Sequence, residues 1–223
     1  MTSHPSAPAA REGAEPARCW QCGKVHAPSL FCPSCDAIQP LPAHTDYFQI
    51  LGVEPRLVID RGALERRYFD LSRRLHPDKF QTGPAPARIA SLGNTASLNR
   101  AYRTLRDPIE RGLYWLSLQG ETLGSNNNRV PAELAALVFE VQEQLEALRE
   151  DAHNVTLRDE VCARRTDLGQ RAEVLRAQLD DNFARWDAAG AGAASLTQEL
   201  KSILSTLKYL RTLMRDVDKE LEG

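Results

Sequence analysis

The stretch Leu64–Phe80, LERRYFDLSRRLHPDKF, decides how the chain is read. Leu64, Tyr68, Leu71 and Leu75 recur every three to four residues, which places them on one face of a helix entered through Asp60, a good N-cap. At about 100° per residue, Arg66 and Arg73 fall almost opposite that stripe, with Arg67 and Arg74 beside them. The helix thus opposes an apolar face to a nearly continuous basic one. Pro77 ends it, because proline cannot donate to the helical ladder and pushes the preceding residue out of the helical region. His76 therefore falls at or just past the helix end, and Asp78 sits in an exposed turn that its carboxylate can brace.

Working outward, DYFQILGVEP (residues 46–55) predicts a short helix capped by Thr45 or Asp46 and ended by Gly52 and Pro55. QTGPAPARIA predicts a loop, and RIASLGNTASLNRAYRTLRDP returns as a helix from Arg88 with Leu98, Ala101, Tyr102 and Leu105 on one stripe. Two antiparallel helices joined at an exposed HPDKF corner follow. As a hydrolase site, His76 and Asp78 lack both a nucleophile and a buried pocket. The four arginines read either as an ordinary solvated face or as a surface that another protein grips.

DPIERGLYWLSLQGE is a further helix, too apolar through Leu113, Trp115, Leu116 and Leu118 to be a free linker. Beyond TLGSNNNR, three periodic segments run from about Pro131 to Asp151, Thr156 to Trp186 and Ser195 to Leu221. Each has one apolar stripe without a strict heptad, and their connections are short. An intrachain three-helix bundle is expected rather than a coiled-coil dimer, and the chain is expected to be a monomer.

Four of the five cysteines lie in CWQCGKVHAPSLFCPSCD, as Cys19, Cys22, Cys32 and Cys35. Two C-x2-C pairs nine residues apart aim four thiolates at one point, the donor set of a structural zinc with no open position for water. Two disulfides, or an iron site on the same four sulfurs, are the alternatives. His26 is surplus to the count, and Cys162 stands alone in a charged segment. A zinc-dependent nucleic-acid binder would need basic residues around the cysteines, where only Arg18 and Lys24 occur.

The balance of 28 basic against 30 acidic residues, net −2, gives no overall field for nucleic acid or an anionic membrane. No apolar run approaches the roughly 20 residues of a bilayer span. The opening MTSHPSAPAAREGAEPAR has neither a secretory core nor the charge bias of a mitochondrial presequence, so a disordered tail and an intracellular protein are expected.

The ordered set DYFQILGV, LERRYFDLSRRLHPDKF, SLNRAYRTLRDP and RGLYWLSLQG resembles the HscB-type J-domain co-chaperones of iron–sulfur cluster assembly, over about Asp46 to Leu221. The tetracysteine module resembles the extra N-terminal domain of some members. The resemblance implies an all-α fold: a tail over 1–17, a zinc module over 18–40, a J-domain with linking helix over 45–120, and a bundle over 130–222. It implies no catalytic residue in this chain and one structural Zn2+. Its HscA-like, DnaK-type ATPase, or the mitochondrial counterpart, would be stimulated by His76, Pro77, Asp78, Arg66, Arg67, Arg73, Arg74 and Lys79. Its IscU-like scaffold would be received by Ala135, Ala136, Phe139, Glu140, Glu143 and Tyr209. The family carries larger apolar residues near Ala135 and Ala136 and a further acidic one near Ala147. Lost apolar area, at roughly 25 cal/mol per Å², would weaken or displace that contact. Phe139 and Tyr209 could instead pack inside the bundle, and a general J-protein adaptor for another client is the alternative function. The resemblance implies the cytoplasm, or the mitochondrial matrix in a eukaryote.

Overall fold

The computed structural model describes residues 16–123, 134–151, 153–189 and 194–222. Most of the expected tail, the 124–129 part of the polar loop and Pro131 lie outside these. Apart from a two-residue hairpin, β1 (Ala17–Arg18) paired antiparallel with β2 (Val25–His26), the described chain is all-α. No helix among the described residues is long and apolar enough to cross a membrane.

Helix α1 (Tyr47–Leu51) is entered through Asp46, whose Oδ1 accepts the Phe48 N–H at 2.7 Å. It stops at Gly52, with φ 63°. A side chain there would be strained by the backbone and would also meet the Arg67 guanidinium at 2.9 Å. Helix α2 (Arg61–Leu75) is capped by Asp60, which accepts the Ala63 N–H at 3.0 Å. That bond, helped by Gly62 and the charge of Arg66, holds the Asp60 carboxyl below its usual range against the cost of desolvation. Leu64, Leu71 and Leu75 are buried as the periodicity requires. Tyr68 is only half-buried: its ring stacks on Tyr102 at 4.1 Å, and its hydroxyl donates to Asn99 at 2.9 Å.

Helix α3 (Ala85–Arg106) begins a turn earlier than the expected Arg88. Pro84 and Pro86 explain the difference, since the first turn of a helix has no intrahelical partner for its N–H groups and tolerates proline. Helix α4 (Pro108–Leu118) follows after Asp107, which caps it through the N–H groups of Ile109 and Glu110.

The chain divides into two compact units between Arg111 and Gly112, inside α4 and ahead of the expected boundary at residue 120. The first holds the cysteine module with α1, α2 and α3. The second holds the rest of α4 with α5 (Ala135–Glu150), α6 (Val155–Ala189) and α7 (Ala194–Glu222). Asn182 reaches the Leu196 carbonyl at one end of the α6–α7 pair and Arg165 grips Asp218 at the other, so these helices run antiparallel. Trp115 and Leu116 of α4 are core residues here, with Trp115 edge-on to Trp186 at 6.1 Å. The three expected helices thus need the end of α4 to close their core.

At the far end of this unit, Arg149 of α5 donates to Glu220 of α7 at 2.7 Å. The Arg149 hydrogen bond, with its charge and that of Lys219, lowers the Glu220 carboxyl despite partial desolvation. A lowered carboxyl stabilises the fold above its unfolded value, near 4.5, and that contribution fades as pH falls through the folded value. Glu220→Gln should therefore lower the thermal midpoint at pH 7, and the difference from the parent should shrink steadily as the solution is acidified below the unfolded value. A difference that persists in acid would assign the effect to packing.

Candidate functional site

The two C-x2-C turns build a single cluster. Cys19 Sγ lies 3.7 Å from Cys35 Sγ, and Cys22 Sγ lies 3.8 Å from Cys32 Sγ, each close pair joining one turn to the other. All four sulfurs fall within 4.8 Å of one another. A tetrahedral ion with bonds of about 2.3 Å to sulfur spaces its ligands by about 3.8 Å, so the quartet fits such an ion. The disulfide alternative fails, since an S–S bond is about 2.05 Å and all the cysteines are free. Backbone N–H groups of Gln21 and Cys22 point at Cys19 Sγ, that of Ser34 at Cys32 Sγ, and the Gln39 side chain donates to Cys19 Sγ at 3.2 Å. Burial raises the Cys19 thiol, but these backbone bonds and the Cys22 and Cys35 thiols together bring it down to about 6. His26 binds the Ala27 carbonyl and is not one of the quartet.

The HPD corner is built by the end of α2. Leu75 is fully buried, and its carbonyl is taken by Ser91 Oγ at 2.6 Å and Thr95 Oγ1 at 3.3 Å, both from α3. Pro77–Phe80 then form one 3-10 turn, with the Lys79 N–H returning to the His76 carbonyl at 3.0 Å. His76 Nδ1 lies 3.3 Å from the Asp78 backbone N–H and 3.5 Å from Asp78 Oδ2, so the ring folds back over the turn. Gln81 donates to Asp78 Oδ1 at 3.0 Å. The side chains of His76 and Asp78 are 55% and 71% exposed, so the corner is a rigid, open presentation of polar groups with no catalytic enclosure.

The basic face is not uniform. Arg66 makes no ion pair among the described residues, and Arg73 pairs with Asp70 on its own helix while staying largely exposed. Arg67 turns back and donates from Nε to the Leu51 carbonyl at 2.9 Å, tying α1 to α2. Arg74 Nη2 binds Asp36 Oδ1 at 2.9 Å, and its guanidinium lies 3.9 Å over the Phe31 ring. Helical periodicity places arginines on a face and carries no information about such partners.

In the second unit, α5 buries Leu137, Val138, Val141, Leu145 and Leu148. Ala135, Ala136, Phe139, Glu140 and Glu143 all lie on its exposed side. Phe139 is 64% exposed, which removes the alternative of a core role. Tyr209 of α7 is half-buried, and desolvation, then the charge of Asp216, raises its hydroxyl. Arg164 of α6, which no sequence pattern singles out, binds Glu140 at 3.1 Å and Gln144 at 3.3 Å. With Glu143, Ala147 and Leu157 these residues line an open groove of about 320 Å³.

An iron-sulfur cluster co-chaperone protein HscB homolog from Arabidopsis thaliana is 31% identical over 170 residues, 76% of this chain and 60% of that protein. The chain thus spans about 60% of this relative's length. The crystal structure of human co-chaperone protein HscB matches at a TM-score of 0.72 and 24% identity, over 91% of this chain and 98% of the human one. Chaperone HscB from Vibrio cholerae matches at 0.63 and 24% identity, over 78% and 96%. The two structures share the fold. No protein-family model matches the chain.

Proposed function

We propose that the chain works as an HscB-type J-domain co-chaperone, bringing an iron–sulfur scaffold protein to a DnaK-type chaperone and triggering ATP hydrolysis there; its 31% identity to the Arabidopsis thaliana relative supports this reading. The observation that carries this reading is the HPD corner, held from inside by Ser91 and Thr95 and open on its outer side. Its chemistry is that of docking. His76 offers an exposed imidazole, Asp78 a braced carboxylate, and Pro77 a fixed turn. Arg66, Arg73 and Lys79 supply exposed positive charge that speeds encounter with an acidic surface. Arg67, tied to Leu51, positions the helix instead. Catalysis belongs to the partner.

On α5, Phe139 is the anchor for the scaffold, flanked by the carboxylates of Glu140 and Glu143, and Tyr209 contributes its exposed part. The small Ala135 and Ala136 leave this anchor isolated, which favours, as the second reading, a J-protein adaptor for a different client. The cysteine quartet holds zinc, whose preference for four thiolates in a tetrahedron suits the sulfur spacing.

Three outcomes follow for the purified chain. His76→Ala and Asp78→Ala should each reduce stimulation of a DnaK-type ATPase at least tenfold in single-turnover assays, with helicity unchanged. Parent-like stimulation would leave the corner a mere helix stop. Phe139→Ala should weaken scaffold binding by about 2 kcal/mol at an unchanged thermal midpoint, whereas Tyr209→Ala should also lower the midpoint, because Tyr209 is half-buried. Equal scaffold affinity in a folded Phe139→Ala would favour the other client. Elemental analysis should find one zinc per chain. Below about pH 6, where Cys19 must also shed a proton, affinity should fall by a further decade per pH unit. A slope unchanged through pH 6 would reassign that proton.

A further inference from the structure

Arg74 sits one residue before the end of α2, yet its guanidinium faces the cysteine module. Phe31, which carries the ring beneath it, directly precedes Cys32, and Asp36, which carries the carboxylate, directly follows Cys35. The second cysteine turn therefore locates both of its contacts. Asp36 has φ 56° and donates its N–H to the Cys32 carbonyl at 2.9 Å, so the turn closed by the two cysteines imposes its left-handed backbone. A segment this short has almost no apolar core of its own: Cys19, Cys32 and Ile38 are its buried hydrophobic residues. Segments of this size hold their shape through metals or disulfides, and this one has no disulfide.

A second path joins the same places. Gln39 donates to Cys19 Sγ, and its backbone carbonyl accepts from Asn94 Nδ2 at 2.8 Å, while Asn94 Oδ1 accepts the Leu41 N–H at 3.2 Å. Asn94 is buried and lies in the same stretch of α3 as Ser91 and Thr95, which hold the Leu75 carbonyl at the corner. One turn of α3 therefore binds both the C-terminal end of the module, through Asn94, and the carbonyl that ends α2, through Ser91 and Thr95.

We propose that Arg74 is a positioning residue through which the filled cysteine module fixes the end of α2 and the HPD corner, so that metal occupancy and chaperone docking are coupled. The coupling to docking rests on the function proposed above; the coupling of metal to the corner does not. Two sites biased by one element influence each other reciprocally. If filling the quartet raises chaperone affinity by some factor, bound chaperone raises metal affinity by the same factor, of the order of fivefold. The exposed ion pair gives little on its own, but the stacked ring shields one face of the guanidinium and makes the contact directional.

The test uses the full chain. Hydrogen exchange should accelerate about tenfold over residues 73–80 when a chelator strips the metal, with α5 to α7 unchanged. Arg74→Ala should speed metal extraction by the chelator about fivefold, and Arg74→Lys, which keeps the charge near Asp36, should restore part of the difference. Since Arg74→Ala leaves all four cysteines in place, this arm is readable even if the stripped protein unfolds locally. Unchanged extraction in Arg74→Ala together with unchanged exchange at 73–80 on stripping overturns the coupling. A DnaK-type chaperone bound to ATP should then slow extraction from the parent by the same factor by which metal raises its affinity. Failure of that chaperone to bind either form would refute the docking function while the exchange and extraction results stand. Binding of equal affinity to folded loaded and stripped forms would refute the link between metal and docking.

Discussion

The carbonyl of Leu75 is the point on which the first unit turns. Pro77 denies α2 its next turn, and a terminal carbonyl buried without a partner would cost about 1–3 kcal/mol. Ser91 and Thr95 of α3 accept that role by donating their hydroxyls to it, and in doing so they set where α2 ends relative to α3. Everything outside the bond is consequently defined: His76 leaves the helix, the 3-10 turn closes on it, and Asp78 faces solvent. A docking surface with few partners needs such support, because recognition by exposed polar groups loses affinity to any freedom that binding must remove.

Much of this architecture is legible in the sequence because it depends on local rules. The stop at Pro77, the caps Asp46 and Asp60 and the stripe Leu64, Leu71, Leu75 all follow from covalent geometry and helix periodicity, and the structure contains each of them. The cysteine spacing likewise suffices to define the quartet, since two C-x2-C turns bring their sulfurs together whatever surrounds them. The exposure of Phe139 follows from its place opposite Leu137, Val141, Leu145 and Leu148, although a lone aromatic is as readily imagined inside a bundle.

What was not legible depends on contacts between distant segments. Arg67 and Arg74 look like Arg66 and Arg73 on a helical wheel, but one turns to Leu51 and the other to Phe31 and Asp36. Nothing in their own neighbourhood marks them. The early start of α3 was hidden for the opposite reason: prolines suggest a loop, while a helix's first turn accepts them. The division inside α4 arises because Trp115 is needed against Trp186, a pairing 71 residues apart in sequence that no local pattern encodes. The salt bridge from Arg164 to Glu140 has the same origin, and it gives the acidic part of the α5 face a fixed geometry that the sequence alone leaves free.

The proposed function requires two independent grips on one chain, the HPD corner in the first unit for a chaperone and the exposed face of α5 in the second for a client. Hydrogen-exchange footprinting of the full chain tests this most directly, with an ATP-bound DnaK-type chaperone, with the scaffold protein, and with both. The account predicts protection over residues 66–81 from the chaperone, over 135–147 from the scaffold, and both footprints together in the ternary mixture. Chaperone protection that misses the HPD corner, or two footprints that displace each other, would contradict it.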